Sequence, residues 1–499
     1  MGRDHRTSRG QELADSDDTK ICANCVGESF LRSLIEQDGT IDECSYCGAT
    51  EEVCISLDEL ADHIEGAFER HYERTSDQPD MYESMLLRDR ESDYDWDRHG
   101  EPVLYAISEA ASIDEEVAQD VLDLLEERHS DLEMAQMGEE CHFSCESHYD
   151  LKGVEDHEFA FEFNAIERSL KSESRFFSQG AVTFLARLFS NIDGLQANEG
   201  RSVVVTAGPE TGMTGFFRAR LFYNGDDLSD ALARPDLHVG PPPSRMVRAG
   251  RMNAHGISVF YGATDPGVAL AEVRPPVGSR AVVARFDLVR QVRLLDVEAL
   301  HSVYVEGSVF DPNHLDQLAL SKFLGRLSRR ITMPVMPDDE PTEYLITQMI
   351  SDYLAQRPLP GLDGILFSSV QCPGDHRNVV LFHHASRVLQ MQLPEGTELS
   401  TSQSYSTDEG PEPDYSVFEE VPAPDQEPAE VSGTNDGVPS LTSILNTYSR
   451  DLDLDDDYRE ESLRLNEGMV SVRHIRSVTF DTHDFSVNRH RSIRRETPF

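Results

Sequence analysis

The stretch Gly250-Arg-Met-Asn-Ala-His-Gly-Ile-Ser-Val-Phe-Tyr-Gly-Ala-Thr-Asp-Pro-Gly-Val-Ala-Leu-Ala-Glu272 decides how the chain is read. A glycine-flanked Arg251 leads into a short apolar strand that reaches Tyr261. Asp265 and Pro266 have the residue types of an N-cap and a first helical position, so a helix carrying Glu272 follows. A cation, an aromatic ring and a carboxylate thus come from one compact unit. That set suits a dinucleotide with two phosphates and a flat, positively charged ring.

Two further blocks accompany it: Gly215-Phe-Phe-Arg-Ala-Arg220, and Asp363-Gly-Ile-Leu-Phe-Ser-Ser369 followed by Asn378-Val-Val-Leu-Phe382. Together the three resemble the RES domain over residues 210–385. This is a toxin family related to ADP-ribosyltransferases and named for its Arg, Glu and Ser. The upstream Cys-x-x-Cys pairs and Arg175-Phe-Phe resemble the N-terminal extension of the HEPN/RES type. Met252 stands where the family commonly has an aromatic, and Phe367-Ser368 where it often has Tyr-Pro.

The resemblance implies an NAD+-consuming enzyme that breaks the nicotinamide–ribose bond, with water or phosphate as acceptor. Arg218 and Arg251 would hold the pyrophosphate, Tyr261 would frame the nicotinamide, and Glu272 would face the ribosyl cation. Ser369 would bond the carboxamide. Arg218 and Arg220 lie two apart and share a strand face, so either fits the arginine role; Ser368 and Ser369 leave a similar choice. An antitoxin or immunity protein is the implied partner, and a homo-oligomer is compatible. Transfer of ADP-ribose to a macromolecule and non-catalytic nucleotide sensing are the alternatives. A HEPN ribonuclease needs Arg and His four to six residues apart, whereas Arg70-His71, Arg98-His99 and Arg128-His129 are adjacent.

Cys22-x2-Cys25 and Cys44-x2-Cys47 have zinc-ribbon spacing, with four thiolates able to close a structural tetrahedron. Cys54 and His63 are substitute ligands on paper, and Cys141, His142, Cys145 and His148 form a second His/Cys cluster.

Of 499 residues, 92 are Asp or Glu and 44 are Lys or Arg, giving a net charge of −48; only Lys20, Lys152, Lys171 and Lys322 are lysines. Dense carboxylate with scarce lysine fits a halophile, in whose salty cytoplasm screening limits self-repulsion, whereas a GC-rich genome favouring Arg codons would explain the lysine deficit but not the carboxylate excess. It disfavours nucleic acid as a partner, because that contact runs on Lys and Arg. Between Arg201 and Leu300, however, twelve Arg meet ten Asp or Glu, a local well for an anionic ligand. With no apolar run of spanning length, a cytoplasmic protein without membrane contact is expected.

The expected fold is α+β: a mostly helical N-terminal region with a zinc ribbon or knuckle, then an ADP-ribosyltransferase-like mixed β-sheet domain. The boundaries read as a disordered leader (1–18), the zinc-binding helical domain (19–195) and the RES catalytic domain (200–394). An acidic disordered linker (395–465) and a C-terminal strand with a basic tail (466–499) follow. Ser56-x-x-Glu59 and Ser112-x-x-Glu115 read as capping boxes opening helices at Leu57–Arg74 and Ile113–Arg128. A third helical region spans Phe163–Phe189.

Overall fold

The computed structural model describes residues 19–89, 91–130, 140–357, 360–372, 374–408, 410–422, 457–479 and 481–491. The expected leader and the basic tail beyond residue 491 lie outside them. Helices and sheets are both present, as an α+β chain requires. Among the described residues no helix is long and apolar enough to cross a membrane.

Contacts divide the chain into two compact units. The first takes in residues up to Asn164, with Gln196–Gly200 and His301–Leu327. Its cysteine module contains β1 (Lys20–Cys22), α1 (Ser29–Asp38), β2 (Thr40–Asp42) and β3 (Glu52–Ser56), the strands ordered β1-β3-β2. Then comes α2 (Leu57–His71), whose Ser56/Glu59 capping box is formed. Leu57, Leu60, Ala61, Ile64 and Phe68 are buried in one core, as their helical spacing requires. The helix stops at His71, and Tyr72–Arg74 continue as a strand.

The second expected capping box does not form. Ser112, at φ 50°, terminates α3 (Val103–Ala111) in the left-handed conformation, and α4 (Glu115–Arg128) begins after Asp114. A residue ending one helix in that conformation cannot also take the extended N-cap geometry of the next. The third helical region is split, into His157–Ser172 and Gln179–Phe189.

The second unit comprises Ala165–Leu195, Arg201–Leu300 and Ser328–Phe499. Residues 165–195 thus group with the sheet and 301–327 with the helical unit. Its elements begin with β4 (Val204–Ala207), β5 (Gly215–Phe222), β6 (Phe260–Ala263), α5 (Pro266–Glu272), β7 (Arg280–Leu288) and β8 (Val292–Asp296). They continue through α6 (His314–Thr332, shared between the units), α7 (Glu340–Ala355), β9 (Gly364–Ser368), β10 (Arg377–Leu381) and β11 (Arg387–Leu389). After β12 (Glu398–Thr407) and β13 (Gly410–Glu420) comes β14 (Glu461–His474).

Nine strands form one mixed sheet in the order β11-β14-β7-β5-β6-β10-β9-β8-β4. The β8–β9 and β11–β14 pairs are parallel and the others antiparallel. One face buries Phe216, Phe222, Phe260, Phe286 and Leu294, while Ala219 and Val283 on the other meet Val268 and Ala269 of α5. Alternation along β5 therefore places Arg218 and Arg220 on the phenylalanine face.

The 395–465 reading is corrected where the chain is described: β12 and β13 pair as an antiparallel hairpin. Residues 423–456 lie outside the described residues. The C-terminal strand begins at Glu461, ahead of the expected 466–499 segment.

Candidate functional site

The central strands β5 and β6 are paired at Phe217↔Ala263. Just beyond that pair Arg218 donates through Nη1 to the Tyr261 carbonyl at 3.0 Å, so a side chain takes up a ladder acceptor. A cavity of about 460 Å³ opens there, within the usual range of small-molecule sites. Its lining includes Arg218, Arg251, Tyr261, Glu272, Arg274 and Asn378.

Arg218 has a buried Nε without a partner, and its guanidinium centre lies 5.5 Å from the Phe260 ring centroid. Loss of hydration, with repulsion from Arg220, lowers its pKa from 12.5 to about 10, so it remains a cation at neutral pH. Arg220 does not line this cavity; it donates to the His238 carbonyl and borders a second hollow.

Arg251 is aimed by its neighbours. Its Nη1 donates to the Ile331 carbonyl at 2.7 Å, in the last turn of α6, where unpaired carbonyls favour a cation. Its guanidinium sits 5.7 Å from the Tyr344 ring centroid, and Thr347 Oγ1 donates to its carbonyl at 2.6 Å. The preceding Gly250 has a steric reason. A Cβ there would lie 2.7 Å from both the Tyr261 hydroxyl and Asn253 Oδ1.

Tyr261 is locked rather than free to swing. Its hydroxyl donates to Asn253 Oδ1 at 2.8 Å and accepts from the Met252 N–H at 3.0 Å. Burial pushes this phenol up to about 12, so it stays protonated. Asn253 is fixed in turn by donating to the carbonyls of Arg248, Ala254 and Ile257.

Glu272 closes α5, a helix begun as its residues predict. Asp265 Oδ1 accepts from the N–H groups of Gly267 and Val268 at 2.7 and 3.2 Å, with Pro266 in the first turn. The Glu272 Oε1 accepts from Ser369 Oγ at 2.9 Å and Asn378 Nδ2 at 2.8 Å. Ser369 is buried and also accepts from the N–H groups of Gln371 and Cys372. It is not among the cavity-lining residues, so its hydroxyl acts on the carboxylate. Ser368 instead bonds Glu298 and Arg377.

The five residues Arg218, Arg251, Tyr261, Glu272 and Ser369 are therefore brought together. Asn378 and Asn253 had no role in the sequence reading. Both stand inside the quoted motifs, and an amide opening the apolar run Asn378–Phe382 was the available signal. Asn378 Oδ1 is buried without a partner.

The four cysteines also converge: Cys22, Cys25, Cys44 and Cys47 place their sulfurs within 4.8 Å of one another. The Cys22–Cys25, Cys22–Cys47 and Cys25–Cys44 separations are 3.6, 3.6 and 3.8 Å. A tetrahedron of thiolates at the zinc–sulfur bond length has edges of about 3.8 Å, so the donor set fits that ion. Gly48 sits at φ 67°, allowing the tight turn at the second pair. Cys54 and His63 stay outside the cluster, and Cys54 Sγ points to backbone carbonyls of Glu52 and Asp42. Among the described residues, Cys141, His142, Cys145 and His148 do not converge into a ligand group.

Residues 227–404 match the family model described as the RES domain. Over these residues the chain is similar to the RES domain. The family is associated with toxins that act on NAD. The match contains Arg251, Tyr261, Glu272 and Ser369, whereas the strand of Arg218 precedes it, and none of the N-terminal residues up to Asn164 falls within it. No curated protein and no solved structure gives a significant match to the chain.

Proposed function

We propose that this RES-domain protein consumes NAD+ by cleaving its nicotinamide–ribose bond. The observation that carries the reading is the Glu272 carboxylate, held by Ser369 and Asn378 at a cavity whose arginines Arg218 and Arg251 have no carboxylate partner. The glycosidic electron pair would leave with nicotinamide, and the ribosyl cation would develop against Glu272. Arg218 and Arg251 would bind the pyrophosphate, with the locked Tyr261 ring forming a wall for nicotinamide. Water or inorganic phosphate would then capture the cation. In this reading the protein is a toxin or defence effector restrained by an antitoxin or immunity protein. The cysteine module would hold one zinc in a closed structural site, remote in role from the chemistry.

The test is NAD+ loss and nicotinamide release by the purified full-length protein in high-salt buffer. Glu272→Gln retains an oxygen to accept from Ser369 and Asn378 and removes only the charge. We expect the folded variant to be slower by about a hundredfold or more. Free ADP-ribose would mark hydrolysis, its phosphorylated form phosphorolysis, and labelled protein transfer to a macromolecule. Absence of nicotinamide from the wild type, or wild-type turnover by Glu272→Gln, would overturn the reading.

A further inference from the structure

Arg274 stands two residues beyond Glu272, one past the C-cap Val273 of α5, and lines the same cavity. Its φ is 45°, in the left-handed region. Its N–H donates to the Ala271 carbonyl at 3.0 Å, as at a normal helix end. Glycine is the favoured residue at such a position, because it has no Cβ to clash. Pro275 follows, and a proline further restricts the residue before it. Backbone preference therefore argues for glycine here, yet the chain has an arginine facing the cavity.

The electrostatic setting gives that arginine a use. Among the described residues, no hydrogen bond or ion pair engages its guanidinium. Arg218 and Arg251 also lack carboxylate partners, each donating to a carbonyl instead. Elsewhere in this unit, Arg285, Arg290, Arg330 and Arg377 pair with Asp287, Asp363, Glu343 and Glu298. In a chain of 92 acidic and 44 basic side chains, three arginines without ion-pair partners line one cavity beside two carboxylates, Glu272 and Glu340, so its lining is net positive against an acidic background.

We propose that Arg274 is a third anion-binding arginine, which grips a phosphate of a nucleotide diphosphate at this cavity. The assignment rests on the NAD+-cleaving reading only for which nucleotide is consumed. Arg274 contributes to binding rather than to bond cleavage, since Glu272 already occupies the position beside the reacting centre.

Two variants separate the guanidinium from the backbone. Arg274→Ala removes the charge and keeps a Cβ in the left-handed conformation, whereas Arg274→Gly removes both. With ADP-ribose as probe, calorimetry on the full-length protein should find both variants weaker by about tenfold or more. The KM for NAD+ should rise in step, with kcat within about twofold of wild type. Only Arg274→Gly should gain stability, with Tm higher by about 2–4 °C. Unchanged ADP-ribose affinity in both variants would overturn the proposal, as would failure of the wild type to bind ADP-ribose. If the wild type binds ADP-ribose in an Arg274-dependent way but releases no nicotinamide, the cleavage reading falls and the Arg274 assignment stands.

Discussion

Asp363 opens the strand that leads to the Ser368-Ser369 pair, and its carboxylate holds several pieces of the sheet together. Oδ1 accepts from Arg290 Nη2 at 2.9 Å and Oδ2 from the Arg293 N–H at 2.8 Å, while His384 Nε2 lies 3.5 Å from Oδ1. Burial by itself would raise its pKa, but His384, Arg290 and the Arg293 N–H outweigh that, lowering it from 3.8 to about 2. A folded-state value below the unfolded one adds stability above pH 4, and that stability is lost as pH falls toward 2. Asp363→Asn should therefore lower the unfolding free energy at pH 7 by about 2 kcal/mol, and the gap should close between about pH 4 and pH 2. Urea melts across that range in high salt are the check; a gap independent of pH would remove the carboxylate from this role. At this scale the motif residues were legible because their types and order are specific. The hydrogen bonds of Asp363 to groups at 290, 293 and 384 were not, because pairing across so many residues leaves no local signature.

Elements were legible where the signal is local. The Ser56/Glu59 box and the Asp265-Pro266 start each involve residues within one turn, and both formed. Ser112 failed because the competing signal, the end of α3, lay just upstream. The β12–β13 hairpin was not legible because both strands are largely polar and exposed, without apolar alternation, and its stabilising contacts are distant. Gln403 donates to the Gly225 carbonyl and Ser229 Oγ at 2.6 and 2.7 Å, and Arg280 donates to Gln403 at 2.9 Å. The cysteine module lies at the other extreme, since its spacing alone announces four converging thiols. If they hold zinc, metal analysis of protein purified under reducing conditions should find one ion per chain. Cys22→Ser should release it and speed amide exchange across residues 20–56, because structural zinc binding is coupled to local folding. Zinc-free wild-type protein with the same protection would sink the assignment.

For the whole molecule, the −48 charge outweighs any single pair. Repulsion between carboxylates spreads as the screening length grows from about 3 Å at 1 M salt to about 30 Å at 0.01 M. Both Tm and the rate of NAD+ loss should rise with KCl toward molar levels, because folding and the approach of an anionic substrate meet the same field. A flat Tm would leave arginine-rich codon usage as the better account of the scarce lysines. The sheet order carries a different consequence, one of timing. β14 lies between β7 and β11, pairing along β7 from Arg280↔His474 to Leu288↔Leu463, and β11 joins the sheet through it. Yet it is made after every other strand of the sheet, and residues 421–460 must first follow β13 off the ribosome. Until then β7 has an unpaired edge and β11 has no strand to join. Translation order thus keeps the sheet that carries the cavity from being completed while most of the chain is still being synthesised.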